Sequence, residues 1–235
     1  MSTPPIVSRD EWLTARKALL TKEKAFSKAR DALSAERRRL PMVEVAKDYV
    51  FEGANGKVSL LDLFEGRRQL LVYHFMWRFD EGQGCPSCSW VIDNVGHLAH
   101  LHARDTSFAV VTRGPFSETD AFRTRMGWTV PWFSSHGSDF NYDFDVSLDP
   151  AVKQPVYNYE PISEPGEGPG LSAFIQDSDR VFHTYSTYAR GLDVLVSTYN
   201  YLDFSAFGRQ EVHEDSPEGW PQSPSMAWLR HHDKY

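Results

Sequence analysis

The chain has 235 residues, 41% of them hydrophobic and 24% charged, so it carries enough apolar surface to bury a core and is not disordered by composition. Its formal net charge of -7 argues against a nucleic-acid partner, whose phosphates demand clustered Lys and Arg; the one basic run, Arg37-Arg38-Arg39, closes a helix where positive charge is favoured anyway. No apolar run reaches the length of a membrane span, and Met1-Ser2-Thr3-Pro4-Pro5 lacks the regions of a signal peptide, so a cytoplasmic protein with no membrane partner is expected.

Residues 8–39 are predicted as one long amphipathic helix. Ser8 and Glu11 form a capping box, Trp12, Ala15, Leu19, Lys22, Phe26, Ala29 and Leu33 recur mostly at three- and four-residue spacing, and Pro41 stops the helix. Residues 1–41 are therefore read as an N-terminal helical extension. It packs on the main domain or on a second subunit, making a homodimer, or stands solvated with a narrow apolar seam.

The main domain is expected over 42–215. Tyr49-Val50-Phe51 before Gly53, Asn55 and Gly56 predicts strand, turn, strand, and Val58 to Phe64 a short strand entering a helical turn. Gln69 to Trp77 is nearly continuous in apolar residues, the pattern of a central strand covered on both faces. After a polar loop, a helix opens at Cys85 and is predicted to run to about Ala103. Ser107 to Thr112 is a second buried strand, and Ser117 to Met126 a helix capped by Ser117. This order makes a right-handed βαβ unit with parallel strands. Residues 127–170 show little periodicity and end in a Pro/Gly-rich loop. Leu171–Ile175 and Arg180–Ser186 flank a four-residue turn and predict an antiparallel hairpin, with a helical segment near Leu192 to Asn200. Residues 216–235 are read as a tail docking on the domain, with Met226–Tyr235 as a short terminal helix. The fold class is α/β: a central mixed sheet flanked by helices.

Cys85 and Cys88 are the only cysteines. Two residues apart, they stand one turn apart if helical, the first at the helix N-terminus, where free N–H groups and the helix dipole favour a thiolate. Cys85 is then the nucleophile and Cys88 the thiol that resolves a mixed disulfide. Pro86 suits the first helical turn. In reducing surroundings, a close pair after a buried strand reads as redox chemistry before a structural bridge. His74, in the apolar strand leading to the motif, is a candidate to move the proton that Cys88 must lose. Asp80 and Glu81 read as solvated, and His97, His100 and His102 lack the i, i+4 spacing of a helical metal site.

The stretch Tyr73-His74-Phe75-Met76-Trp77, then Gly84-Cys85-Pro86-Ser87-Cys88-Ser89-Trp90 and Asp93-Asn94, resembles a bacterial thioredoxin-like family known as domain-of-unknown-function family 899. The resemblance continues through Arg125-Met126-Gly127-Trp128, Pro131-Trp132, Ser134-Ser135, Asp139 to Phe144, Gly208-Arg209-Gln210-Glu211 and Trp228 to Tyr235. It implies a thioredoxin-like fold and, by analogy, oxidoreductase activity, without a substrate. The layout is also similar to the peroxiredoxin branch, through Gly56 to Leu60 and Phe174 to Asp177. Gly82 stands three residues before Cys85, where peroxide-reducing enzymes carry Thr or Ser, which speaks against peroxidase activity. Against the thioredoxin pattern, His74 takes the place of a buried Asp, and Pro169 is the residue available for the cis-Pro facing the thiols.

The expected function is dithiol–disulfide exchange on a protein or low-molecular-weight thiol or disulfide, without cofactor or metal. The expected substrate contacts are Pro86, Pro169 and, from the aromatic segment 127–144 read as a cleft wall, Trp128, Pro131 and Trp132. Two alternatives stand beside it. One is a copper or other metal-handling protein using the Cys pair with His183. The other is a non-catalytic binding protein whose cleft is the aromatic segment.

Overall fold

The computed structural model describes residues 4–235. The chain begins with α1 (Arg9–Arg37), which Ser8 and Glu11 cap reciprocally as a capping box. None of its residues is buried. Strand β1 (Val43–Glu44) leads to the hairpin β2 (Val50–Gly53) and β3 (Gly56–Ser59), and a single 3-10 turn, Asp62–Phe64, precedes β4 (Gln69–Phe75). A small hairpin, β5 (Trp77–Arg78) with β6 (Gln83–Gly84), delivers the chain to α2 (Pro86–Asp93). Then follow α3 (Ala99–His102), β7 (Thr106–Thr112), α4 (Phe116–Arg125), β8 (Trp132–Ser134) and α5 (Phe140–Asp143). Four two-residue strands occupy the stretch of weak periodicity: β9 (Ser147–Leu148), β10 (Val156–Tyr157), β11 (Glu160–Pro161) and β12 (Gly166–Glu167). The long hairpin β13 (Gly170–Asp177) and β14 (Arg180–Tyr188) is followed by a 3-10 segment, Ala189–Leu195, and α6 (Ser197–Asp203).

The main sheet has the order β1-β14-β13-β4-β7-β8-β2-β3. Strands β4, β7 and β8 run parallel, and the two hairpins add antiparallel edges. The parallel pairing of β4 with β7 through α2 is the βαβ unit expected from the sequence. With the antiparallel β13–β14 hairpin beside β4, it gives the thioredoxin-like arrangement.

Because β4 is covered on both sides, its alternation separates two cores. Leu70 and Val72 face a core with Phe51, Phe64, Ala109, Val111, Phe140 and Phe174. Tyr73 and Phe75, continued by Trp77, face the other, with both cysteines, Ile92, Phe122, Trp128 and Trp132.

Several boundaries differ from the sequence reading. The helix after Cys85 does not reach Ala103: it stops at Asn94, before Gly96. The Asn94 side chain is engaged elsewhere, donating to the Trp90 carbonyl (2.8 Å) and accepting from the Ser197 hydroxyl (2.5 Å) and the Thr198 N–H (3.0 Å). That same contact starts α6, so the helical segment near Leu192 divides into a 3-10 piece and a later α-helix. Helix α4 starts one residue before Ser117, after Pro115, and Ser117 does not cap it; Asp120 binds Arg123 instead. Met226–Tyr235 forms only a 3-10 turn at His232–Lys234. Its start is pinned by the fully buried Glu211, which accepts from the Met226 N–H and the Trp228 indole, both at 2.9 Å.

Candidate functional site

The site is built where β4 ends. Gly84 leads into the helix in a space where a Cβ would meet the rings of Phe75 and Phe122 at 2.5 and 2.7 Å, so no larger residue fits without displacing them. Cys85 is the N-cap of α2 and Pro86 its first residue, half-buried, where a missing N–H costs nothing. Among the described residues, both cysteines are free thiols.

The two sulfurs sit in different surroundings. Cys85 is 7% exposed, and its sulfur is 3.1 Å from the Ser87 hydroxyl. The Cys88 thiol first, then the Ser87 hydroxyl and the backbone N–H groups of both residues, stabilise its anion and hold its pKa down at about 5 against the opposing effect of burial. Cys88 is 1% exposed, and burial together with the Cys85 charge pushes it well above the ordinary thiol range. The Met76 N–H donates to its sulfur at 3.4 Å.

Tyr73 is the third member. It is fully buried, its hydroxyl lies close enough to Cys88 for each to shift the other's acidity, and it has no well-formed hydrogen bond. Glu167 is the fourth. Its Oε2 accepts from the Trp77 N–H at 2.8 Å and its Oε1 makes no hydrogen bond, with only the Arg113 guanidinium 3.8 Å away. Burial raises its pKa to about 7; the Trp77 N–H and Arg113 oppose the rise and the nearby Cys85 charge adds to it. Arg78 also feels that sulfur: partial burial works against its charge, and the Cys85 thiolate and Glu81 more than compensate. Glu81 itself is an exposed partner of Arg78, at 2.8 Å.

Beside the motif lies a largely apolar cavity of about 220 Å³, lined among others by Tyr73, Ser87, Trp90, Pro169, Leu192 and Val196. Pro169, the residue expected to serve as a cis-Pro, directly precedes β13 and lines this cavity with Ser87. Its carbonyl accepts from the Tyr157 hydroxyl at 2.8 Å. Among the described residues no peptide bond is cis, so Pro169 is trans and the cis-Pro expectation is not met.

Three sequence expectations are corrected here. His74 does not serve Cys88. The next residue along β4 from Tyr73, it points to the opposite face of the sheet, stacked on Phe140 and Phe144. Its Nε2 is hydrogen-bonded to Ser172 at 2.8 Å, and burial lowers its pKa to about 3, so it stays neutral. His183 is not near the cysteines either. It closes a chain running from His74 through Ser172 and Ser186, with links of 2.8 and 2.7 Å, so the metal site of Cys85, Cys88 and His183 is not assembled. Among the described residues no three His, Cys, Asp or Glu side chains gather as a metal site.

The third concerns the aromatic segment, whose rings pack in the core; Trp128 also lines a cavity at the C-terminal end of α2, with Asp93 and His97, and not the one beside Ser87. Trp128 stacks on Trp132 at 5.7 Å, Trp132 packs edge-on against Phe75 at 4.9 Å, and the Trp128 indole donates to Asp93 at 2.7 Å. Pro131 contributes its carbonyl to the Val110 N–H, and Phe140 lies on the far face of the sheet. Trp128 and Trp132 share the cysteine-side core, but neither lines the cavity beside Ser87.

Sequence reasoning missed Tyr73 and Glu167. The strict alternation of β4 was the available signal for Tyr73, once the face bearing α2 is known. Glu167 carries no local signal, being one carboxylate in a Gly/Pro-rich loop.

Among the described residues no helix is long and apolar enough to cross a membrane. A family model described as a bacterial protein of unknown function (DUF899) matches residues 1–235. No curated protein matches the chain in sequence. Among solved structures it is similar to the peroxidoxin BcpB of Mycobacterium tuberculosis, with 14% identity and a TM-score of 0.46 over 69% of this chain and 97% of that one. It is similar also to a mutant of peroxiredoxin Q from Xanthomonas campestris, with 14% identity and a TM-score of 0.43 over 65% and 90%. A hypothetical protein, SMc02350 of Sinorhizobium meliloti 1021, aligns with 14% identity and a TM-score of 0.38 over 58% and 65%.

Proposed function

The chain belongs to the DUF899 family of bacterial proteins, and we propose that it is a dithiol–disulfide oxidoreductase. The observation that carries this reading is the pairing of unlike thiols one helical turn apart: Cys85 at the start of α2 with its anion hydrogen-bonded, Cys88 buried and protonated behind it. A nucleophile and a resolver need this division of labour.

The cycle runs in two displacements. The Cys85 thiolate attacks one sulfur of a substrate disulfide; an S–S bond forms to Cys85 and the other substrate sulfur leaves as a thiolate, which takes a proton. Glu167, held near half-protonation at neutral pH close to Cys85, is placed to supply it. Cys88 then loses its proton and attacks the Cys85 sulfur, releasing the second substrate thiol and leaving a Cys85–Cys88 disulfide. The Met76 N–H and the unengaged Tyr73 hydroxyl stabilise the Cys88 anion in that step. The substrate gains two electrons and the protein loses two; an external dithiol restores the pair, or, with all steps reversed, an external disulfide restores it. The apolar cavity beside Ser87 takes the group next to the substrate sulfur.

The test is a redox titration of the two thiols with a Cys88→Ser variant as a trap. A single two-electron couple, and mixed disulfides accumulating on Cys85 in the trap, are the expected results. Thiols that alkylate equally at every poise, with nothing trapped, would leave the motif without redox function.

A further inference from the structure

The cavity beside Ser87 has a neighbour. A second, largely apolar cavity of about 310 Å³ adjoins it, and Tyr73 and Val91 line both. Four elements build the two in the same direction. Helix α2 and the two residues after it give Ser87, Trp90 and Val91 to the first cavity and Val91, Asn94 and Val95 to the second, the spacing of one helical face. Strand β4 gives Tyr73 and then Leu71, which lie on one side of the sheet. Pro169 and then Leu171 follow from the start of β13, and Leu192 and then Leu195 from the 3-10 segment. Together they make one tract along α2 from Ser87 to Val95, about 12 Å at 1.5 Å per residue. It begins at the reactive sulfur, because the Ser87 hydroxyl is 3.1 Å from Cys85 Sγ.

The floor of the second cavity is unfinished core. Leu70 and Val72 on one face of β4 are completely buried, whereas Leu71 between them and Leu171 on β13 are only partly so. Helix α2 stops at Asn94, and no further turn of it covers them. The two cavities, at about 220 and 310 Å³, together have the size and apolar lining of a small-molecule pocket.

The surroundings select the occupant. A polypeptide lying here would need main-chain partners. Strand β13 is paired on both sides, with β14 and β4, and the Pro169 carbonyl already accepts from the Tyr157 hydroxyl at 2.8 Å. The charged residues at the rim, Arg190 and Asp193, engage each other at 3.2 Å. What fits is an extended apolar group carried by the sulfur that Cys85 attacks.

We propose that the substrate is a low-molecular-weight thiol or disulfide with an aliphatic arm, and that the arm lies along α2 from Ser87 to Val95; this substrate class rests on the exchange reaction proposed above.

The test uses the full chain and a series of alkyl pyridyl disulfides, from methyl to octyl. The Cys85 thiolate forms a mixed disulfide with the alkyl sulfur and releases pyridinethione, which is followed by absorbance; Cys88 then displaces the alkyl thiolate. Relative to the same reactions with free mercaptoethanol, the second-order rate constant should rise about fourfold per buried methylene, and octyl should exceed ethyl by at least about a hundredfold. Leu195→Trp, and independently Leu101→Trp on α3, fill the second cavity and should bring the octyl-to-propyl ratio close to one. In a Cys85→Ser/Cys88→Ser chain, octyl hydroxyethyl sulfide should bind by calorimetry, at least tenfold more weakly once Leu195→Trp is added. A flat series on thiols that do exchange, a slope that survives both Trp variants, a sulfide that does not bind, or a disulfide-bonded peptide that outruns octyl would each overturn the substrate class and leave the exchange reaction standing. Thiols inert toward every arm would overturn the exchange reaction and the substrate class with it.

Discussion

At the scale of single residues, the acidity of Cys85 depends first on its neighbour one turn on, since the Cys88 thiol is the largest contributor to its anion's stability. Alkylation of Cys85 should therefore titrate near pH 5, and its midpoint should rise in Cys88→Ala; a midpoint that stays put would remove Cys88 as a donor. Glu167 gives a second expectation, of opposite sign. Its folded pKa of about 7 lies above the ordinary 4.5, so between those values the folded state holds more protons than the unfolded one. Stability linked to Glu167 is present below about pH 4.5 and lost as pH rises through 7, by up to about 3 kcal/mol. Cys85 works the other way, its contribution growing as pH rises above its lowered pKa. Urea unfolding in a Cys85→Ser background separates the two: the decline with rising pH should be visible there and absent once Glu167→Gln is added. A decline that survives Glu167→Gln comes from another group.

At the scale of elements, α2 is held at its C-terminal end by side chains from distant segments. Trp128 binds its last residue, Asp93, and forms the floor beneath it with Trp132 and Phe75. Trp128→Ala should cost about 3–5 kcal/mol in chemical denaturation, in line with removal of a buried indole. It should leave the titration midpoint of Cys85 where it was; a shifted midpoint would return Trp128 to the site. Asn94→Ala should cost about 1 kcal/mol, the loss of the side chain that caps α6.

These elements also show what was legible in the sequence. Strands β4 and β7 announced themselves because burial on both faces leaves a run of apolar residues with no polar alternation. The cap of α1 was legible because Ser8 and Glu11 carry it locally. The place of Cys85 at a helix start was legible for the same reason. The face taken by His74 was not: when both sides of a strand are buried, its composition does not say which side receives the helix. Nor was the end of α2, because Asn94 acquires its partners from residues more than a hundred positions away. Glu167 was hidden by the same long-range dependence, since its burial is set by β12 pairing with β9 and by the Trp77 amide.

At the scale of the whole molecule, the C-terminal segment closes over the cysteine hairpin. His231 is hydrogen-bonded to the Gly84 carbonyl at 2.9 Å, across 147 positions of sequence, and its ring packs on Phe122 at 5.4 Å. A chain lacking residues 226–235 should unfold at lower temperature and expose Cys85 to alkylation several-fold faster. Unchanged labelling would show that the hairpin holds itself closed.

The sheet is less evenly joined than its eight strands suggest. The β2–β3 hairpin meets the rest through one residue pair, Glu52 with Ser134, whereas β4 pairs along its length with both β7 and β13. Isotope exchange should divide the molecule along that line. Amide protons in β2 and β3 will trade with solvent through brief detachment of the hairpin, resisted mainly by the packing of Phe51. Those of β4 will wait for the entire domain to open, so the strand that carries the chain to the cysteines is the slowest clock in the protein.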